Sequence, residues 1–244
     1  MSKADRKQTG VDKMNRNKAG QIRILAFGDS NTWGYIPGGS GRYPAGTRWT
    51  TILEELDPEI NVWEEGLCGR TTIFQETGYP DRTGVAGLRA FFKGSPVPDA
   101  AILMLGTNDC KPCFGVSAKE IGEGIQTCLD ELERVLPPRR ILLMSPILLG
   151  EDVWKPEKDP AYDRRSVAVA GDLKTVYTEI ATARGCAFLA ASDYADPDPQ
   201  DEEHMNETGH RQLAEAVYGK LREMGVVSQG TERHGEAPAG AKEA

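Results

Sequence analysis

A serine, a histidine and an aspartate occupy loop segments from which they could form a nucleophile, a base and the group that orients the base. Ser30 lies in the segment "FGDSNTWG", directly after the apolar run "IRILA". A serine hydroxyl is a poor nucleophile near neutral pH and needs a base within hydrogen-bond reach. His204 is the candidate base, and Asp201 lies three residues before it. That spacing lets Asp201 accept the Nδ1–H of the imidazole and leaves Nε2 to face Ser30.

The loop that carries His204 also has a simpler interpretation, in which Asp201 only adds to an acidic loop and His204 caps a helix. The loop alone does not decide between the two. The other two histidines of the chain fit the role of base less well. We expect His210, in the first turn of the last predicted helix, to be a solvated surface residue. We expect His234 to lie in a disordered C-terminal tail.

Attack of a serine on a carbonyl also requires hydrogen-bond donors for the oxyanion that forms, each typically contributing roughly 3–4 kcal/mol. The segments "EEGLCGRTT" (64–72) and "LGTNDCK" (105–111) supply candidates. The backbone N–H of Ser30 can serve as one donor. Gly69 permits close approach of its own N–H because it has no Cβ, and Asn108 offers a side-chain amide. Taken separately, Gly69 is more often a turn glycine and Asn108 a helix cap, but the coincidence of all these segments favours a site.

These segments need a scaffold that brings them together, and the hydrophobic pattern predicts one. Apolar runs of strand length alternate with segments of helical period, and the runs are continuous, as expected for a parallel sheet covered by helices on both faces. The order predicts an α/β fold, a single-domain three-layer α/β/α arrangement with a five-stranded parallel sheet in the flavodoxin-like order 2-1-3-4-5. The predicted strands are Ile22–Phe27, Ile60–Trp63, Ala100–Leu105, Arg140–Met144 and Ala187–Ala190. The predicted helices lie near 48–56, 84–93, 117–136, 160–184 and 208–224.

The predicted sheet also indicates where a ligand-binding site should lie. In open parallel sheets, ligands bind outside the carboxyl ends of the strands, near the switch in strand order. The loops after strands one, two, three and five contain the four segments discussed above. Within the helices, "SAKE" at 117–120 is typical of a capping box. Leu213, Val217 and Leu221 recur at a four-residue step and predict a buried stripe on the last helix.

Composition limits the classes of function. The chain has 244 residues and a formal net charge of −8, which argues against generic nucleic-acid binding. No apolar run has the length of a transmembrane helix, and residues 1–20 lack the apolar core of a secretory signal. Five cysteines without a disulfide-scaffold density favour a reducing cytoplasm. We predict flexible or disordered tails over 1–20 and 227–244 around one domain over 21–226.

The four segments, taken together and in this order, resemble those of the SGNH hydrolase (GDSL esterase/lipase) superfamily over most of residues 22–224. The resemblance implies a Ser–His–Asp triad and an oxyanion hole. It implies these roles for Ser30 as nucleophile, for Ser30, Gly69 and Asn108 as oxyanion donors, and for Asp201 and His204 as the rest of the triad.

Finer features are similar to the arylesterase/acyltransferase branch of that superfamily: "FGDSNTWG", "RWT" at 48–50, "EEGLCGRTT" and "LGTNDCK". Gly66 is an alternative for the second oxyanion donor, but "LCGRTT" aligns better with the family's loop and favours Gly69. The branch implies a serine esterase acting on short-chain, acetyl-type esters through an acyl-enzyme, with acyl transfer to alcohols as a further activity. An O-acetylated carbohydrate is a plausible small-molecule substrate.

Two alternatives stay open at this point. The first is an acyl-thioesterase or lysophospholipase of the same superfamily, and the second is a non-catalytic flavodoxin-like binding module. The esterase reading requires no metal and no organic cofactor, and involves neither nucleic acid nor a membrane. Whether the chain forms a homo-oligomer is not decided by its sequence.

Some residues near these segments have weaker functional signals. Trp33, three residues after the candidate nucleophile, and Arg70 are candidate residues of the substrate pocket, and Arg70 is also a candidate supporting group. The pair Cys110 and Cys113 in "CKPC" lacks the second ligand pair that a structural zinc site needs, so loop packing is the preferred interpretation. The long irregular segments 35–47 and 146–163 overhang the same rim and are candidate binding walls.

Overall fold

The computed structural model describes residues 20–228. Five parallel strands form one sheet in the order β2-β1-β3-β4-β5, which confirms the predicted fold and strand order. Each strand lies within a few residues of its prediction, and β2 runs three residues further, to Gly66. The strands are Ile22–Gly28 (β1), Ile60–Gly66 (β2), Ala100–Met104 (β3), Ile141–Ser145 (β4) and Ala187–Ala190 (β5).

Six α-helices surround the sheet in the described part of the chain. The first is a four-residue turn of helix at the candidate nucleophile that the sequence did not predict. The predicted capping box at Ser117 and Glu120 is present, and a second one, between Asp163 and Ser166, starts the fifth helix at residue 164 rather than 160. The helices are Ser30–Trp33 (α1), Trp49–Leu56 (α2), Gly84–Phe92 (α3), Ala118–Glu133 (α4), Arg164–Arg184 (α5) and Glu207–Glu223 (α6).

Two apolar layers, one on each face of the sheet, form the core. Alternate residues of β1 point to opposite layers: Leu25 and Phe27 pack with helices α3, α4 and α5, whereas Ile24 and Ala26 pack with α2 and α6. This two-sided burial explains why the central strand β3 is apolar and buried at every position. Because all the strands are parallel, their carboxyl ends lie at one rim, from which the loops of the site emerge.

The buried stripe of α6 begins one turn earlier than predicted. Leu213, Val217 and Leu221 are buried as expected, but His210 is also fully buried, so the prediction of a solvated side chain was wrong. His210 lies three positions before Leu213 and so continues the stripe. Its Nδ1 accepts the Trp49 N–H at 3.3 Å. Burial lowers the pKa of His210 to about 3, with a smaller contribution from nearby positive charge.

The predicted tails fall mostly on residues 1–19 and 229–244, outside the residues that the structure describes. Val227, the first residue of the predicted C-terminal tail, is buried in the layer under α6. Within residues 20–228, none of the helices has both the length and the apolar character that crossing a bilayer requires.

Candidate active site

The loops that follow β1, β2, β3 and β5 meet at the carboxyl ends of the strands, where the strand order reverses. They enclose a cavity of about 390 Å³, at the small end of the usual range for ligand sites. Five of the residues predicted to carry the chemistry line it: Ser30, Gly69, Asn108, Asp201 and His204.

A continuous hydrogen-bonded relay connects three of these side chains. The Oγ of Ser30 lies 2.9 Å from Nε2 of His204, and Nδ1 of His204 lies 2.9 Å from Oδ2 of Asp201. With the Nδ1–H donated to the carboxylate, Nε2 carries the lone pair that accepts the Ser30 hydroxyl proton. All three residues are buried, so the relay is shielded from bulk water while it opens into the cavity.

Asp201 is held in place from three directions. Its Oδ1 accepts the backbone N–H groups of Glu203 and His204, each at 3.0 Å. Its Oδ2 accepts the Gly38 N–H at 2.9 Å, besides the imidazole. Burial acts to raise the pKa of Asp201, but the hydrogen bonds and charge of His204 outweigh it and lower the pKa to about 2. The carboxylate therefore stays ionised at neutral pH.

The imidazole of His204 is surrounded by negative charge. Burial opposes its protonation, but Glu203 and Asp201 outweigh this effect and raise the pKa of His204 above its usual value. The ring of Tyr35 packs against the His204 ring with 4.5 Å between centroids. Tyr35 thus limits the motion of the imidazole on the cavity side, a contact that the sequence analysis did not identify.

Asn31 joins the two loops of the relay, and sequence reasoning missed it. Its Nδ2 donates to the carbonyl of Glu203 at 3.1 Å, and its Oδ1 accepts the Met205 N–H at 3.0 Å. These two bonds flank His204 and fix its backbone relative to Ser30. Asp29 caps α1 by accepting the Asn31 N–H at 3.0 Å, as expected for a residue that bonds neighbouring amides.

Three groups are available as oxyanion donors. Among the residues that the structure describes, the N–H groups of Ser30 and Gly69 have no hydrogen-bond acceptor. Gly69 has φ +76°, a conformation that favours glycine. The Nδ2 of Asn108 donates one hydrogen to the Arg70 carbonyl at 3.3 Å, which leaves the second for the cavity it lines. Gly66, the alternative donor, does not line the cavity; a Cβ there would lie 2.2 Å from the Trp33 nitrogen.

Asp109 ties the loop after β2 to the loop after β3. Its Oδ1 accepts both the N–H of Thr72, at 2.9 Å, and the Thr72 hydroxyl, at 2.5 Å. Burial raises the pKa of Asp109 to about 7, although the bonds from Thr72 oppose the change. The segments that carry Gly69 and Asn108 are thereby held side by side.

Neither Trp33 nor Arg70 is among the residues that line the cavity, contrary to the prediction that both belong to the substrate pocket. The guanidinium of Arg42 stacks on the Trp33 ring at 5.5 Å, and Trp33 therefore belongs to the packing of the 35–47 segment. Arg70 is buried under the site: it lies 4.0 Å over the ring of Phe27 and donates to the Gly28 carbonyl at 2.8 Å. Its role is to support the backbone beneath Ser30.

The two irregular segments both form cavity walls and are anchored on the loop of Asp201. Gly38, of the segment 35–47, donates to Asp201, and Gly150, of the segment 146–163, donates its N–H to the carbonyl of Glu202 at 2.8 Å. The wall is mostly polar or charged: besides Tyr35, it includes Lys111, Glu157, Lys158, Asp159, Gln200 and Glu203.

The cysteines contribute little chemistry to the described structure. Cys110 is buried and donates its thiol to the Gly106 carbonyl at 3.3 Å, whereas Cys113 is exposed. Cys68 lines the cavity, but burial raises the pKa of its thiol to about 12, so it is protonated at neutral pH. Within residues 20–228, no group of three or more histidine, cysteine, aspartate or glutamate side chains is arranged to hold a metal ion.

Several solved structures are similar to this chain over nearly their full length. One is the aryl esterase of M. Smegmatis, at 28% identity and a TM-score of 0.75, covering 83% of this chain and 99% of that one. Another is a carbohydrate acetylesterase family member from Sinorhizobium meliloti, at 28% identity and a TM-score of 0.73, covering 84% and 99%. A third is Est24, a carbohydrate acetylesterase from Sinorhizobium meliloti, at 26% identity and a TM-score of 0.74, covering 84% and 100%. No curated protein matches the chain.

One family of proteins matches both the sheet and the loops at its rim. Residues 26–212 match the GDSL-like Lipase/Acylhydrolase family, a span that begins in β1 and ends in α6. It includes every loop that reaches the cavity. The chain therefore belongs to the GDSL-like lipase/acylhydrolase family, within the SGNH hydrolase superfamily, and is a carboxylic ester hydrolase.

Proposed function

We propose that this chain is a serine esterase that cleaves short-chain, acetyl-type esters through an acyl-enzyme on Ser30. The observation that carries the proposal is the relay at the cavity floor, in which 2.9 Å separates Ser30 from His204 and His204 from Asp201. Such an arrangement supplies a nucleophile, a base and an orienting carboxylate in the geometry that acyl transfer needs.

In the proposed reaction, the Ser30 Oγ attacks the ester carbonyl while its proton passes to Nε2 of His204. Asp201 stabilises the imidazolium through the Nδ1–H. The N–H groups of Ser30 and Gly69 and the amide of Asn108 stabilise the oxyanion. The intermediate collapses by breaking the bond to the alcohol, which leaves with the proton from His204. Water then attacks the acyl-enzyme by the same route and releases the acid; an alcohol in place of water gives a new ester.

The small cavity and its polar wall support a short acyl group on a polar alcohol. The cavity volume of about 390 Å³ and the wall of lysine, glutamate, aspartate and glutamine side chains offer no long apolar groove for a fatty chain. Charged and amide side chains can bond the hydroxyl groups of a sugar. The likeness to carbohydrate acetylesterases is consistent with an O-acetylated carbohydrate as the natural substrate.

The test compares the purified chain with a Ser30→Ala variant on p-nitrophenyl acetate, butanoate and octanoate. We expect the highest kcat/KM on acetate, loss of at least about 10³-fold in the variant, and labelling of the wild-type serine alone by a fluorophosphonate probe. Preference for octanoate would instead support a lysophospholipase or long-chain thioesterase. Full activity of Ser30→Ala would refute Ser30 as nucleophile and support a binding module. Acetylated xylan and an added alcohol then test the carbohydrate substrate and acyl transfer.

A further inference from the structure

A second carboxylate lies beside the catalytic imidazole. The Oε2 of Glu203 is 3.9 Å from Nδ1 of His204, the nitrogen that also bonds Asp201. Glu203 is buried with 6% of its surface exposed, and its Oε1 accepts the Tyr162 hydroxyl at 2.9 Å. The carboxylate is therefore fixed by a neighbouring loop at a distance where its charge, rather than a direct hydrogen bond, acts on His204.

The surroundings of this pair come from the loops that follow all five strands and from α6. Negatively charged side chains outnumber positively charged ones around the pair, and burial of Glu203 among them is unfavourable because its carboxylate loses hydration. Burial accordingly raises the pKa of Glu203, while positive charge on His204 lowers it. The titratable or charged groups that interact with Glu203 or His204 are Asp29, Tyr35, Cys68, Lys111, Asp159, Tyr162, Asp201 and His210.

A buried carboxylate in this position is explained best by the charge that appears next to it. During attack by Ser30, the serine proton moves to Nε2 and the imidazole becomes a cation. A negative group about 4 Å away, in a site shielded from water, stabilises that cation more than it would at the surface. Asp201 already orients the ring, so Glu203 has no orienting task left to perform.

We propose that Glu203 acts through His204: its carboxylate, held by Tyr162, stabilises the protonated form of His204 during acyl transfer. Glu203 neither touches the substrate carbonyl nor takes up the serine proton, which stays on Nε2 until the leaving alcohol receives it. The inference rests on the proposed function, because it requires His204 to act as the base. It adds a second charge to the relay of Ser30, His204 and Asp201.

The main test is the pH dependence of kcat/KM for Glu203→Gln, which removes the charge and keeps an oxygen for the Tyr162 hydroxyl. Because Glu203 raises the pKa of His204, its loss should move the acid limb of the profile to lower pH by about one unit. We also expect kcat on the alkaline plateau to fall by about tenfold, with KM nearly unchanged. Glu202→Gln makes the same change of charge one residue earlier, on a side chain that accepts the Asp152 N–H, and should leave the profile unchanged.

A second variant tests the proposal independently if Glu203→Gln does not fold. Tyr162→Phe removes the hydroxyl that holds the carboxylate, and should shift the acid limb in the same direction by a smaller amount. The proposal is overturned if the folded variants at 203 and 162 titrate with the wild-type midpoint, or if Glu202→Gln shifts it as much as Glu203→Gln. Activity remaining in Ser30→Ala would instead refute the proposed function itself.

Discussion

Replacing Asn31 with alanine tests whether the position of His204 depends on the hydrogen bonds by which Asn31 joins the loop of Ser30 to the loop of His204. The Asn31 side chain is almost fully buried and bonds the backbone on both sides of His204, to the Glu203 carbonyl and the Met205 N–H. Asn31→Ala removes both bonds and leaves every side chain that lines the cavity unchanged in type. The effect on turnover therefore reports how far the position of the backbone around His204 depends on Asn31.

The expected magnitude follows from these two bonds. Each buried backbone group left without a partner costs roughly 1–3 kcal/mol, so the variant should lose about 2–6 kcal/mol of unfolding free energy, less any gain from a water that enters. A displacement of the base by about 1 Å reduces turnover by on the order of 10²-fold. We therefore expect kcat for p-nitrophenyl acetate to fall about 100-fold in Asn31→Ala. KM should change little, because the cavity wall is intact.

Thr32→Val provides the matched control. Thr32 is the next residue in α1 and equally buried, and its hydroxyl has no hydrogen-bond partner among residues 20–228. This variant should keep near wild-type kcat. The assay is steady-state kinetics on both variants at a temperature well below their melting points, with folding checked by circular dichroism. Equal kcat values for Asn31→Ala and Thr32→Val would refute the idea that these hydrogen bonds of Asn31 position His204.

Two further predictions concern acid stability and the oxyanion loops. The pKa of His210 is about 3 in the folded chain and near 6.5 in the unfolded chain, so the unfolded chain binds a proton first and the free energy of unfolding decreases as the pH falls between these values. Between pH 7 and pH 4, His210→Gln should therefore lose about 3 kcal/mol less unfolding free energy than wild type, as measured by urea unfolding. Equal losses in the two proteins would contradict this. Asp109→Ala removes the acceptor for Thr72 and should lower kcat about tenfold, because the loop that carries Gly69 is held less firmly. Asp109→Asn keeps an oxygen for Thr72 and should lower kcat less. Equal kcat in both variants and in wild type would exclude this role of Asp109.

The sheet and the relay residues could be predicted from the sequence because their signals are local. Continuous apolar runs mark buried parallel strands, and the three-residue spacing of Asp201 and His204 suffices for a turn that brings carboxylate and imidazole together. Strand order then places the Ser30 loop opposite them. The general rule for where ligands bind on such sheets brings the segments to one rim, and the resemblance of all four segments to one superfamily was needed to assign the roles.

The supporting contacts could not be predicted because they join residues distant in the chain. Asn31 and the Glu203 carbonyl are separated by 172 positions, and nothing in either segment signals the bond. Trp33 was assigned to the pocket because it is near Ser30 in sequence, but the turn of α1 directs Tyr35 rather than Trp33 into the wall. His210 is a different case, since its spacing from Leu213 already matched the buried stripe and only its polarity argued against burial.

The anchoring of both irregular segments on the loop of Asp201 has a consequence for protein engineering. Substrate range in enzymes of this kind would ordinarily be altered by exchanging wall loops for those of relatives. Here the loop bearing Gly38 bonds the carboxylate of Asp201 itself, and the one bearing Gly150 bonds the adjacent residue, Glu202. A grafted loop must therefore retain these backbone donors, or the exchange will change turnover along with selectivity.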